Sequence, residues 1–589
     1  MKRVFSYLSS YKLRLTFSLL IKTIGTLVDL AIPYVLSHII DNVIPKAELS
    51  GKINEVILFG GVMLVFCAIG VSFNIIANRM SSWITRNVTK NIRHDLFEKI
   101  NSLSSYQIDE VTMPSLVSRM TTDTYNIHQM VGMMQRMGIR APILLIGGIV
   151  ITFTMDAVLT LILIAILPFV CFFTFALSKK GLPLFTKVQE AMDNLVRVIR
   201  ENVTGIRVIK ALSKAEYEKG RFRKVNKEVL DYELKSGFTM SKLSPIMNFL
   251  LNIGLVFVVV VGAIRIKDGN TEVGKIISFT SYFTIILNAM LSITRIFTIY
   301  SRSNASAIRI DYIMSLEEDL VQMDCDDSSE YMIEFRNVYF KYYRSKRHDD
   351  LYDLNDINIK LKKGESLGII GSTGSGKTTI INLLMRFYDT NSGSVFVNGK
   401  NVKAYNKNEL RKMFGTALQN DIIFSDSILN NIDFYRDIDF KDIEKAVKTA
   451  QAYDFISKLE NTYNEELSAK GTNISGGQKQ RIFISRALAG NPKILILDDA
   501  SSALDYKTDA LLRKEINDNY PDLTSVIITQ RISSIINCDY IMMIENGSVL
   551  GYGTHEYLLN TLEEYRHIFE SQMGDRDINT SSKGGVYNE

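Results

Sequence analysis

Six apolar stretches organise the first half of the chain, at residues 13–40, 56–76, 139–154, 158–177, 246–264 and 276–293. A helix needs about 20 apolar residues to cross a bilayer, so the third stretch is marginal by itself. Its neighbour resolves this: Met155-Asp156-Ala157 reads as a tight turn, which makes the third and fourth stretches one helical hairpin. The even count of spans returns the chain to its starting side.

The polar connections fix an orientation. Segments 81–140 and 178–242 are long and rich in Lys and Arg, whereas the links near Pro45, Asp156 and Asp268 are short. Basic loops stay in the cytoplasm, so both long loops and both termini are expected there, on the inner face of a plasma or inner membrane. The loops keep helical spacing, as in Leu195, Val198, Ile199 and Val203, so the membrane helices are expected to run on into the cytosol.

After Ile310 the pattern changes. Short β-rich runs at 333–340, 366–370 and 493–497 alternate with helical patterns, which predicts an α/β nucleotide-binding domain. The acidic, aperiodic segment 317–330 reads as a tether. The expected organisation is an all-α six-helix transmembrane domain at 1–316, a linker at 317–330, a nucleotide-binding domain at 331–572 and a polar tail at 573–589.

Composition adds exclusions. A chain of 589 residues exceeds what one core organises, and 47% hydrophobic residues is too apolar for an ordinary soluble protein. The net charge of +5 is small against 68 basic and 63 acidic residues, so nothing points to nucleic acid. Four cysteines, two of them (Cys67 and Cys171) inside apolar runs, make no disulfide framework and no metal-ligand spacing. The basic start Met1-Lys2-Arg3 precedes a long apolar segment containing Lys22 and Asp29, without a small-residue cleavage site; it reads as a retained span.

The chemistry lies in the second half. Gly371-Ser372-Thr373-Gly374-Ser375-Gly376-Lys377-Thr378 matches a P-loop, follows an apolar strand and precedes a helical run that starts at Thr379. Glycines let backbone N–H groups curl around phosphate, the helix start adds its dipole, Lys377 reaches the terminal phosphates and Thr378 offers Mg²⁺ a hydroxyl. Ile494-Leu495-Ile496-Leu497-Asp498 is a buried-strand run ending in a carboxylate suited to hold Mg²⁺, which makes Asp498 the Walker B residue.

Between these lies Asn473-Ile474-Ser475-Gly476-Gly477-Gln478, which resembles the LSGGQ signature of ABC transporters with Ile for Leu. Gln419 falls at the Q-loop position, where it also serves Mg²⁺, Ser502-Ala503-Leu504-Asp505 at the D-loop, and Tyr342 where an aromatic stacks on adenine. In the first half, Glu201-Asn202-Val203-Thr204-Gly205-Ile206-Arg207 and Leu116-Val117-Ser118-Arg119 with Asp123 look like the cytoplasmic loops of ABC exporters. The resemblance spans nearly the whole chain, as a half-size exporter. It implies that ATP is sandwiched between the P-loop of one chain and Ser475, Gly476, Gly477 and Gln478 of another, so that the chain works as a dimer.

Three positions depart from that family. The residue after the Walker B Asp is normally the Glu that polarises attacking water, and here it is Asp499, one methylene or about 1.5 Å shorter. The family's switch histidine is replaced by Gln530, which has no titratable proton. Ala469 stands where exporters commonly carry Glu. Binding parts are kept and hydrolytic parts altered, a pattern that resembles the degenerate-site subunit of bacterial heterodimeric multidrug exporters. The expectation is a heterodimer in which this chain contributes an impaired ATP site and the intact signature of its partner's site. Alternatives are a homodimeric exporter of lipid or peptide, or a regulatory nucleotide sensor.

For the substrate, Asp29, His38, Asn74, Asn78, Asn248 and Arg295 are the polar candidates at membrane depth, with Asp29 preferred for a cavity and His38 read as interfacial. Met130, Met133, Met134 and Met137 at helical spacing read as packing. A drug-like amphipathic substrate is the family-level expectation.

Overall fold

The computed structural model describes residues 1–46, 53–317, 319–325, 327–342 and 352–573. The expected tail at 573–589 lies outside the described residues except for Met573, as do Glu318 and Asp326 of the expected linker. Two compact units emerge among the described residues, one within Met1–Asn101 and Pro114–Leu316, the other made of Ser102–Met113 and the described residues from Glu317 onward.

In the first unit, a short helix α1 (Lys2–Ser9) leads into a set of long helices. These are α2 (Lys12–Lys46), α3 (Ile53–Ser102), α5 (Met113–Met155), α6 (Ala157–Thr204), α7 (Ala215–Lys267) and α8 (Val273–Ser315), each carrying a window long and apolar enough to cross a membrane. At 1.5 Å per residue, the 50 residues of α3 extend about 75 Å, more than twice a hydrocarbon core of about 30 Å. The helices therefore outrun the apolar stretches that predict them.

The hairpin between α5 and α6 turns at Asp156, whose side chain accepts from the N–H groups of Val158 (2.9 Å) and Leu159 (3.2 Å). This N-cap satisfies the first donors of α6, and Arg265 Nε donates to the other carboxylate oxygen at 3.0 Å, so the buried charge is paired.

The second unit holds two sheets. Four strands, β1 (Ile333–Phe340), β2 (Leu354–Leu361), β4 (Ser392–Val397) and β5 (Lys400–Asn401), form an antiparallel sheet in the order β2-β1-β4-β5. Six strands run β10-β9-β3-β8-β7-β6, with β3 (Ser366–Ile370), β6 (Phe414–Ala417), β7 (Ile494–Asp498), β8 (Thr524–Ile528), β9 (Tyr540–Glu545) and β10 (Ser548–Gly553). All of its pairings are parallel except β10 with β9. Both faces of β3 and β7 are covered, so these strands read as continuous apolar runs rather than alternating ones. The predicted strand at 493–497 is β7, shifted by one residue so that Asp498 closes the strand itself.

The segment Ser102–Met113 belongs structurally to the second unit, although in sequence it lies inside the first basic loop. Its helix α4 (Ser105–Val111) starts at a capping box formed by Ser104 and Gln107. Ser104 Oγ donates to Asp319 at 2.5 Å, Gln107 Nε2 to the Glu317 carbonyl at 2.7 Å, and Tyr388 Oη to Asp109 at 2.6 Å. Hydropathy gave no sign of this docking, which depends on side chains more than 200 residues apart in sequence.

Candidate functional site

The strand β3 delivers the chain into the loop 371–376, and α9 (Lys377–Leu384) leaves it. Two glycines are required by space and conformation. A Cβ at Gly371 would lie 2.0 Å from the Ile544 carbonyl oxygen, and Gly376, the N-cap of α9, holds φ +106°. Lys377 is the first residue of the helix, so its side chain folds back over the loop, where Nζ donates to the carbonyls of Gly371 (2.8 Å) and Ser372 (2.7 Å). Burial pulls its ammonium below the ordinary lysine range, while Asp498 and Asp499 pull it back up.

Around this loop lies a cleft of about 290 Å³, lined by Tyr342, Asp353, Thr373, Gly374, Gly376, Lys377, Thr378, Thr379, Gln419, Asp498, Asp499, Ile528, Thr529 and Gln530. Its donor set suits a magnesium triphosphate. The Ser375 hydroxyl is buried without a hydrogen-bond partner beneath the loop, a Cβ at Gly374 would meet nothing within 4 Å, and the start of α9 supplies a positive dipole end. On the far wall Thr378 Oγ1 donates to Asp498 Oδ2 at 2.9 Å, a hydroxyl and a carboxylate whose oxygens would suit Mg²⁺.

Asp498 is 2% exposed, and burial pushes its carboxyl above the usual carboxylate range, with the neighbouring Asp499 adding to the shift and Thr378 and Lys377 opposing it. Asp499 is also shifted upward, chiefly by burial against the lowering pull of Arg531. Its backbone is pinned. Residue 499 sits at φ +51° and its N–H donates to the Ile528 carbonyl at 2.9 Å.

Gln530 lines the same cleft, so Asp499, Gln530 and the P-loop residues share one cavity. A residue that sequence reading missed holds this loop. Gln572, on α11 (Glu563–Met573), donates through Nε2 to the Gln530 carbonyl at 2.7 Å and accepts from the Ile532 N–H at 2.8 Å. No motif marks it, because its role is set only by where the last helix packs.

Tyr342 lines the cleft with its ring edge-on to Phe340 and Tyr388, and its hydroxyl lies 3.3 Å from Thr379 Oγ1 and 3.0 Å from Asn382 Nδ2. The signature stands apart from this cleft. Ser475 is the exposed N-cap of α10 (Gly476–Ala489), in a capping box where Ser475 N–H donates to Gln478 Oε1 at 2.8 Å and Gln478 N–H to Ser475 Oγ at 3.3 Å. Gln480 Nε2 then donates to Ser502 Oγ at 2.9 Å, and its Oε1 accepts from the Ala503 N–H at 2.8 Å, which ties the signature helix to the D-loop.

In the first unit, three of the polar candidates meet. Asp29 accepts from Arg140 Nη2 at 3.1 Å and from Asn74 Nδ2 at 3.3 Å, while Lys22 Nζ donates to Asn74 (2.8 Å) and Asn78 (3.1 Å). Asp29 is thus a paired member of a helix-bridging network. His38 packs against the Phe59 ring and lies 3.3 Å from Asn42, and Asn248 and Arg295 are exposed. Of the methionines, Met130 is buried and Met134 exposed, so the cluster forms no single surface.

Comparison with known proteins covers both units. A model of the ABC transporter transmembrane region matches residues 15–290, and a model described as ABC transporter matches 354–502. The chain is 31% identical over 576 residues to an uncharacterised ABC transporter ATP-binding protein, YfiB, of Bacillus subtilis (strain 168), covering 98% of this chain and 99% of that protein. It is 27% identical to YgaD of the same organism, which carries a provisional name as a multidrug export ATP-binding/permease protein, over 97% of this chain and 99% of that one. It is 29% identical to an ATP-dependent lipid A-core flippase of Syntrophus aciditrophicus (strain SB), over 85% of this chain and 83% of the flippase. The fold matches that of a bacterial Atm1-family ABC exporter solved with ATP bound, at TM-score 0.80 and 21% identity, over 96% of this chain and 99% of that one.

Proposed function

The chain belongs to the ABC transporter family, as a half-size exporter that couples an ATPase to transport across a membrane it spans several times, and on that premise we propose that it is the degenerate-site subunit of a heterodimeric exporter. The observation that carries this is the composition of one cleft. Lys377, Thr378 and Asp498 keep a binding geometry, while Asp499 and Gln530 stand in the hydrolytic positions of the same cavity. The exposed Ser475 to Gln478 cap is intact and completes the partner's site. The proposed substrate is a hydrophobic or amphipathic drug-like compound, a reading supported by the likeness to YgaD.

ATP enters this chain's cleft with Tyr342 toward the base and the P-loop N–H groups around the phosphates. Thr378, Asp498 and Gln419 would hold Mg²⁺, which neutralises phosphate charge when bound. Closure on the partner's signature is then transmitted to the membrane helices through the cytoplasmic loops. The docking of α4 through Ser104, Gln107 and Asp109 supports this, because one piece of the first loop packs within the nucleotide unit. Slow turnover here holds ATP, and retained ATP biases the dimer toward the closed state by its differential affinity for that state. The basic loops support a cytoplasmic location for the nucleotide units and both termini, at a plasma or inner membrane.

The test is purification of the tagged chain from its native membrane, with mass spectrometry of what accompanies it. A second half-transporter at equal stoichiometry, carrying Glu after its Walker B Asp and His at its switch, is expected. A homodimer with appreciable ATPase overturns the reading. That homodimer, exporting a lipid, is the second reading, favoured by the likeness to the lipid A-core flippase.

A further inference from the structure

A cavity of about 670 Å³ opens between α3 and α5, lined by Ile75, Asn78, Arg79, Ser82, Trp83, Thr85 and Arg86 of one helix and His128, Gly132 and Arg136 of the other. Residues 75, 78, 79, 82 and 86 recur at three- and four-residue spacing and so share one face of α3, as 128, 132 and 136 share one face of α5. The cavity begins where the apolar stretch 56–76 ends.

Its lining contains three guanidinium groups and no carboxylate. Among the described residues, Arg79, Arg86 and Arg136 form no ion pair, and the hydrogen bond that Arg136 makes is from Nε to its own helix, at the Gly132 carbonyl, 3.2 Å. Asp29, the carboxylate on the neighbouring stretch of α2, is already engaged by Arg140. More positive charge surrounds the site: Arg14 Cζ lies 4.0 Å from the centre of the Trp83 ring, and Arg93 and Arg136 are the charged neighbours of His128. Uncompensated cations in a concavity repel one another, and an entering anion relieves that repulsion while filling the planar forks of donors that guanidiniums present.

Ile75 is the apolar member of the lining, and α3 continues apolar beyond it: one to two turns before Arg79, Val71, Ile75 and Ile76 are large and exposed, at 58%, 53% and 44%. Trp83 bridges the two characters with an apolar body and a polar edge, the side chain suited to a membrane–water boundary.

We propose that this cavity binds an amphiphile with a phosphate or carboxylate headgroup, the headgroup on Arg79, Arg86 and Arg136 and the tail along Ile75 and Val71. The proposal deepens the exporter reading by giving its substrate a class. It rests on that reading only for the consequence that the bound molecule is transported.

Trp83 is the single tryptophan of the chain, so its emission reports on the cavity directly. The experiment titrates the full chain in phosphatidylcholine nanodiscs, without ATP, with hexadecyl phosphate, hexadecylphosphocholine, hexadecyltrimethylammonium and glycerol 3-phosphate. A saturable change with hexadecyl phosphate alone is expected, weakened about tenfold or more in the combined Arg79→Gln, Arg86→Gln, Arg136→Gln variant and largely restored by Lys at the three positions. For the unaltered chain, apparent affinity is expected to fall between about 0.05 and about 0.5 M salt, which keeps the proposal testable if the combined variant misfolds. An equal response to the phosphocholine or the ammonium compound would show only a general lipid-contacting surface and overturn the proposal. Saturation by glycerol 3-phosphate in the same range would assign the site to soluble anions and overturn the amphiphile. Salt-independent binding overturns the role of the arginines. Because no nucleotide is present, none of these failures touches the exporter reading, whose own tests are partner identity and ATP-driven flux.

Discussion

Replacing Asp499 by Glu tests the central argument at the scale of one methylene. The carboxylate of Asp499 lines the cleft, yet its backbone cannot advance to offset the shorter side chain: the N–H is bonded to Ile528 at 2.9 Å and the residue is set at φ +51°. On the proposed reading, the shortfall of about 1.5 Å falls on the reach toward an attacking water. A 1 Å misplacement costs roughly 100-fold, so restoring the methylene is expected to raise ATP turnover at this site by up to about 100-fold, or about 2.7 kcal/mol of barrier. Gln530→His added to it should raise turnover further, since Gln530 shares the cleft. The assay is single-turnover phosphate release from the purified dimer in nanodiscs, with the partner's own site disabled. If Asp499→Glu binds ATP as the parent does and turnover does not rise, carboxylate reach is not what limits this site, and the degenerate-site argument fails.

Other outcomes follow from the same geometry. Lys377→Ala is expected to weaken ATP binding at this chain's site by about tenfold or more, because it removes an ammonium that folds over the P-loop; unchanged affinity in a fluorescent-nucleotide titration refutes its role. Gly371→Ala places a methyl 2.0 Å from the Ile544 carbonyl, so a loss of about 3 kcal/mol or misfolding of the nucleotide unit is expected in thermal unfolding. The upward shifts of Asp498 and Asp499 give two opposite pH trends. In the window between the ordinary aspartate value and the raised one, the folded nucleotide-free chain binds more protons than the unfolded chain, so these groups favour folding as pH falls. Magnesium-dependent ATP binding needs Asp498 ionised and is expected to be lost in that same window, so a Mg·ATP titration series that tracks the trend of nucleotide-free stability contradicts the assignment.

Much of this molecule was legible in its sequence because the signals are local. Apolar length announces a membrane span without any partner, since a bilayer demands about 20 residues and the chain either supplies them or does not. The P-loop is likewise readable because strand, glycine turn and helix start are contiguous in residues 366–384, and its Gly, Lys and Thr each answer a need of a bound phosphate. The departures at Asp499 and Gln530 were visible as identities at motif positions. Tertiary structure decided what depends on residues distant in sequence. It brought Thr378 and Asp498 to 2.9 Å, gathered Asp499 and Gln530 into the same cleft, set Gln572 on the switch loop and assigned Ser102–Met113 to the nucleotide unit. It also engaged Asp29 with Arg140 while leaving Arg79, Arg86 and Arg136 around a cavity without a carboxylate. The reason is physical: hydropathy and motif spacing act within a few turns of backbone, whereas charge pairing and cavity shape follow from which faces of different helices meet, and no periodicity encodes that.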